Sequence, residues 1–240
     1  MSREFEISRE VDLPAAPDDV WTAITAETAA WQFPTGEEPP TGAGGPIKTW
    51  DPPHRLVIRM ESPDGTFNAL DYAIEARGGT AHLRYVHSGI LSDEWEDQYD
   101  AIGGHTDFYL HTLGQYLEHF KGCDVTYVGQ PSDGINGPAA AGTPDAMDTL
   151  RAALGLSPDA GVGEEVHAPM GDAGTLDGVV DYSTPEFLGV RTDDGLFRFF
   201  GRNFFPGGVV GMSAHLFVDG GVDAVASEAA LKKWLDSVYV

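Results

Sequence analysis

Residues 80 to 122 constrain the fold most. A strand-like run, "TAHLRYVHSGIL", leads into "DEWEDQYDAIGGHTDFYLHTLGQYLEHFKG", which has the periodicity of one long helix. At 1.5 Å rise per residue such a helix runs ~42 Å, enough to cross a whole sheet. Trp95, Tyr99, Ile102, Thr106, Tyr109, Leu113, Leu117 and Phe120 fall on one stripe at ~100° per residue. Asp93 with Glu96 has the pattern of a capping box, and Lys121-Gly122 that of a stop. Against this, Gly103, Gly104 and Gly114 each cost roughly 1 kcal/mol relative to alanine in a helix interior. Gly103 and Gly114 share one flank of the stripe, and Gly104 lies on the back near Phe108 and His111. Small residues at those positions let another backbone come close. The helix is therefore expected to be covered on two sides, by its own sheet and by residues 123–240.

The elements before the helix fit that plan. In "REFEISREVDL" the residues Phe5, Ile7, Arg9 and Val11 alternate with charged ones, which predicts a half-buried strand. "APDDVWTAITAETAAW" predicts a helix, with Pro17 in its first turn and Val20, Trp21 and Ile24 on one face. Four strand-like runs follow, "IKTWD", "HRLVIRME", "FNALDYAIEA" and "TAHLRYVHSGIL". Turn residues at Pro52-Pro53, Pro63-Asp64-Gly65 and Gly78-Gly79 divide them. The second half repeats the order in weaker form. "CDVTYVGQ" predicts a strand and "PDAMDTLRAALGL" a helix. Five strand candidates from "GEEVHAP" to "VVGMSAHLFV" come next, and "SEAALKKWLDSVY" predicts a closing helix.

Composition narrows the function classes. Asp and Glu number 38 against 14 Lys and Arg, a formal charge of -24, so no basic face is expected for nucleic acid or an anionic membrane. At 240 residues and 42% apolar content, the chain can bury a core. One cysteine, Cys123, excludes an intramolecular disulfide and a cysteine-built metal site. The charged, alternating N-terminus has no apolar run of signal-peptide type, and no segment has the ~18 apolar residues of a membrane span. A cytoplasmic protein is expected.

"PAAPDDVWTAIT" after an N-terminal strand, "WDPPHRLVIRM", the terminal-strand motif "LRYVHSGI" and "FYLHTLGQYLEHFKG" together resemble the SRPBCC (START-like) superfamily. Within it they are most similar to the heat-shock-protein-90 ATPase activator-like family. The resemblance covers about residues 3–122. It implies a helix-grip fold, a curved antiparallel sheet wrapped round a long C-terminal helix, with a cavity between the two.

The expected architecture is therefore α+β, with residues 1–122 as one helix-grip domain and 123–240 as a second, degenerate one. Strand alternation places Leu83, Tyr85 and His87 inward and His82, Arg84 and Val86 outward. Leu56, Ile58 and Met60, with Leu70, Tyr72 and Ile74, join the inward set. The candidate ligand-binding residues are Trp31, Phe33, Tyr72, Tyr85, His87, Trp95, Tyr99, His105 and Tyr109, an aromatic lining with few polar handles. A filled core with tyrosine hydroxyls reaching the surface is an equal alternative, and for His87 a hydrogen-bonded core histidine.

No catalytic residue, cofactor or metal is assigned. His105, His111 and His119 are spaced by six and eight residues on one helix, not by the four of a helical zinc site. "SDEWEDQYD" lacks the alternating ligands of a calcium loop, and no Gly-x-Ser-x-Gly elbow occurs. The expected function is binding of a small hydrophobic or aromatic molecule between sheet and long helix. The resemblance also implies a chaperone partner as an alternative. A cyclase-like pocket enzyme using His87 or Tyr85 is a further one, resting on analogy of fold.

Overall fold

The computed structural model describes residues 3–36, 38–91, 95–204 and 207–240, apart from the side chains of residues 3, 91, 95–101 and 204. The chain divides into two compact units, one of Met1–Gln32 with Gly36–Lys121, the other of Phe33–Thr35 with Gly122–Val240. The protein is α+β, and every strand pairing in it is antiparallel.

The first unit runs β1 (Arg3–Leu13), α1 (Pro17–Thr25), β2 (Ile47–Asp51), β3 (Arg55–Glu61), β4 (Phe67–Arg77), β5 (Thr80–Leu91) and α2 (Trp95–His119). Its sheet order is β1-β5-β4-β3-β2, so the first strand closes against the last and the others form a meander. Facing partners define the rows of one face. Leu56, Tyr72, Tyr85 and Arg9 make one row, and Ile58, Leu70, His87 and Ile7 the next. Ile7, Leu56, Ile74 and Leu83 on this face are buried. Both helices lie over it. Trp21 of α1 meets Trp50 edge-on at 4.9 Å, and the Tyr116 hydroxyl of α2 donates to Glu27 just past α1 at 2.6 Å.

Helix α2 carries buried side chains on two faces. Leu113 and Leu117 are buried on one, Phe108 and Thr112 on the other. The flank with Gly103 and Gly114 faces its own unit. A Cβ at Gly103 would stand 3.6 Å from Arg9 Nη2, and one at Gly114 3.8 Å from Leu13 Cδ2. The neighbour is β1 of the same unit. The Arg9 guanidinium reaches past Gly103 to grip the Asp107 carboxylate, with Nη2 at 3.0 Å from Oδ2, and this bidentate pair ties helix to strand. The capping pair expected at Asp93 and Glu96 lies outside the described residues.

The second unit follows the same plan with two strands added. It runs β6 (Thr126–Val128), β7 (Ile135–Asn136), α3 (Ala146–Ala153), β8 (Glu165–Pro169), β9 (Thr175–Ser183), β10 (Phe187–Arg191), β11 (Gly195–Gly201), β12 (Val210–Leu216) and α4 (Ala224–Val238). Its sheet order, β6-β12-β11-β10-β9-β8, again pairs first strand with last. Asp223 caps α4 by accepting from the backbone N–H groups of Val225 and Ala226. Leu150 of α3 and Leu231, Trp234 and Leu235 of α4 share one apolar core with Val190, Phe199 and Met212 of the sheet.

Candidate functional site

The inner face of the first sheet grades from closed to open. At one end Ile74 and Leu83 are out of reach of water. At the other, Ile58, Leu70 and His87 are half-buried, and Met60, expected inside, is 50% exposed. Between these ends sit Tyr72 and Tyr85, 4% and 8% exposed, with ring centroids 5.0 Å apart. The pair forms because β4 and β5 set the two residues directly opposite one another, and both face α2 by alternation.

Among the described residues neither phenol hydroxyl has a hydrogen-bond partner. Burial pushes the Tyr72 hydroxyl well above the ordinary phenol range. Burial does the same to Tyr85, with the neighbouring Tyr72 adding to it. Both therefore stay protonated at neutral pH and remain hydrogen-bond donors. Buried tyrosine hydroxyls ordinarily find an acceptor, because leaving one unmade costs about 1–3 kcal/mol.

His87 completes the row beside them, its ring 6.4 Å from Tyr85 and edge-on to Phe5 at 5.1 Å. Nε2 lies 2.6 Å from Asn68 Oδ1. Burial lowers its pKa to about 4, so the imidazole is neutral at neutral pH. With Asn68 Oδ1 accepting, Nε2 carries the proton and Nδ1 the lone pair. Gly89 makes room for this corner. A Cβ there would meet Phe5 Cε1 and the Phe67 carbonyl oxygen, each at 2.7 Å, which no larger residue tolerates.

The other sequence candidates are distributed differently. Trp31 is buried with its indole N–H donating to the Ala23 carbonyl at 2.9 Å, at the end of α1. His105 and Tyr109 lie on α2 with ring centroids 6.2 Å apart, both half-buried. Phe33 belongs to the second unit. The side chains of Trp95 and Tyr99 lie outside the described residues. Sequence reasoning missed Asn68 and Phe5 as neighbours of His87. Asn68 shares the strand parity of Leu70 and Tyr72, so one further step of the alternation would have placed it.

The second unit has a cleft of about 420 Å³ lined by Met170, Asp172, Lys233, Trp234 and Val238 among others. Its polar groups answer one another. Lys233 Nζ reaches Asp172 at 2.7 Å, and the Ser237 hydroxyl donates to the Trp234 carbonyl at 2.6 Å. Among the described residues no group of three or more His, Cys, Asp or Glu is arranged to hold a metal ion, and no helix is long and apolar enough to cross a membrane.

Comparison with known proteins gives similarities to solved structures. The Aha1 dimer from Colwellia psychrerythraea is 17% identical and covers 49% of this chain and 99% of its own, at a TM-score of 0.39. CalU16 from Micromonospora echinospora is 19% identical over 49% of this chain and 86% of its own, TM-score 0.36. DynU16, a protein of the dynemicin biosynthetic locus, is 15% identical over 98% of this chain and 95% of its own, TM-score 0.40. No protein-family model and no curated protein matches the chain.

Proposed function

We propose that the first unit binds a small, largely apolar molecule on the inner face of its sheet, at the open end beside Tyr72, Tyr85 and His87. The observation that carries this reading is the pair of buried phenols whose hydroxyls have no acceptor among the described residues. An apolar lining with a few convergent polar groups is the usual make-up of a small-molecule site. Ile58, Leu70 and Phe5 supply the apolar surface. The helix-grip expectation from the SRPBCC-like motifs of residues 3–122 supports the same place, because it sets the ligand between sheet and C-terminal helix.

Titration with Nile red, an uncharged dye whose emission rises in apolar surroundings, tests the reading. The parent protein is expected to take it up. Arg84→Ala, on the exposed side of β5, is expected to bind as the parent does. Tyr85→Ala, one residue along and facing inward, is expected to bind about tenfold more weakly, the scale of a lost aromatic contact. No uptake by the parent, or equal affinity in the two variants, would overturn the proposal.

A further inference from the structure

Resting on the binding site just proposed, we infer that it selects an uncharged ligand carrying a hydrogen-bond-accepting oxygen, such as a ketone or quinone, and rejects carboxylates. Three observations on the inner face carry this. The first is the donor set. Tyr72 and Tyr85 stand opposite one another, each more than nine-tenths buried, and neither hydroxyl has an acceptor among the described residues. Two neighbouring O–H donors on facing rings can both be met by one ligand oxygen with two lone pairs.

The second observation is the charge on this face. Among the described side chains of the inner rows, from Phe5 to Leu13 on β1 and across Leu83–Gly89, Asn68–Ile74 and Leu56–Met60, Arg9 is the single cation. Its guanidinium grips Asp107 through two nitrogens, so the pair brings no surplus positive charge. A carboxylate leaving water for this face would meet neutral phenols and no counter-ion, which does not repay desolvation of an ion. The third is His87. Its Nε2–H is directed to Asn68, which leaves a lone pair on Nδ1, so the ring adds an acceptor and no cation to this face. The net charge of -24 acts in the same direction at long range.

Three molecules with one ring system separate the contributions: 2-ethylnaphthalene, 2-acetylnaphthalene and 2-naphthoate. Each is titrated against Nile red bound to the purified 240-residue chain at neutral pH. The acetyl compound is expected to bind about tenfold more tightly than the ethyl compound, the scale of one to two hydrogen bonds. The naphthoate is expected to bind at least about tenfold more weakly than the acetyl compound. In the Tyr72→Phe, Tyr85→Phe double variant the acetyl-to-ethyl ratio should fall toward one while ethyl binding is retained. Equal binding of acetyl and ethyl compounds by the parent would overturn the inference, and so would naphthoate binding as tightly as the ketone. Failure of Nile red itself to bind would instead overturn the site, so the two failures are distinguishable.

Discussion

Asp181 and Arg198 face each other inside the second unit through two hydrogen bonds of 2.8 Å each, with both side chains at most 4% exposed. Gly189 lies beside the pair. A Cβ there would fall 2.3 Å from Asp181 Oδ1 and 2.5 Å from Arg198 Nη1, so the strand between them must lack a side chain. A buried ion pair is only weakly stabilising as a whole, but removal of one partner strands a charge in a low dielectric. Asp181→Asn is therefore expected to destabilise by about 3–5 kcal/mol, and the double change Asp181→Leu, Arg198→Met by much less. Urea denaturation midpoints of the single and double variants check this. A double variant as unstable as the sum of its singles would show that the two residues act independently.

The glycines of α2 have a different neighbourhood. At Gly103 and Gly114 an added Cβ would meet its nearest atoms at 3.6 and 3.8 Å, ordinary van der Waals distances. Alanine fits without moving β1 and fixes the backbone better than glycine. Gly103→Ala and Gly114→Ala are each expected to stabilise by up to ~1 kcal/mol. Thermal melting of both variants decides the sign. A loss at Gly103 would mean that Arg9 needs the full space to hold Asp107.

The unpartnered phenols predict an uncommon response to mutation. Tyr→Phe at a buried site ordinarily costs stability because a hydrogen bond is lost. Here the hydroxyls of Tyr72 and Tyr85 have no such bond among the described residues, so their removal breaks none. Tyr72→Phe and Tyr85→Phe are expected to leave the ligand-free protein as stable as the parent or more so. Destabilisation of the free protein by either change would show that the hydroxyl serves the fold rather than a ligand.

Much of the fold was legible before any coordinates, because local pattern and tertiary demand agree. Alternation in "REFEISREVDL" predicted β1, and the strand candidates from "GEEVHAP" to "VVGMSAHLFV" correspond to β8 through β12. The end of "LFRFFGRNFF" was the exception. β11 stops at Gly201 and Arg202–Phe204 form a 3₁₀ turn, a local change that hydrophobicity does not signal. Inward placement of Tyr72, Tyr85 and His87 followed from the two-residue period alone. Long-range partners did not follow from any pattern. Arg9 meets Asp107 98 residues later, and the sequence spacing of two charges says nothing about their separation in space. Gly189 reads as a weak point in a strand, and only the position of Asp181 and Arg198 explains it.

His87 sets the pH dependence of the first unit. Burial holds its folded-state pKa at about 4, below the ordinary 6.5 that applies in the unfolded chain. Between those values the unfolded chain binds a proton that the folded protein does not, so stability must fall as pH drops through the window. Above 6.5 the imidazole is neutral in both states and its contribution is complete. In His87→Gln no titrating group remains at this position, while the amide can still donate to Asn68 Oδ1. The carboxylates that titrate in the same range are common to both proteins, so the difference between parent and variant isolates the histidine. Urea midpoints at intervals from neutral pH down to about 4.5 are expected to shift in favour of the variant as pH falls. A constant difference across the window would mean that His87 is as solvated as a surface histidine, and the neutral acceptor beside Tyr85 would be lost from the site.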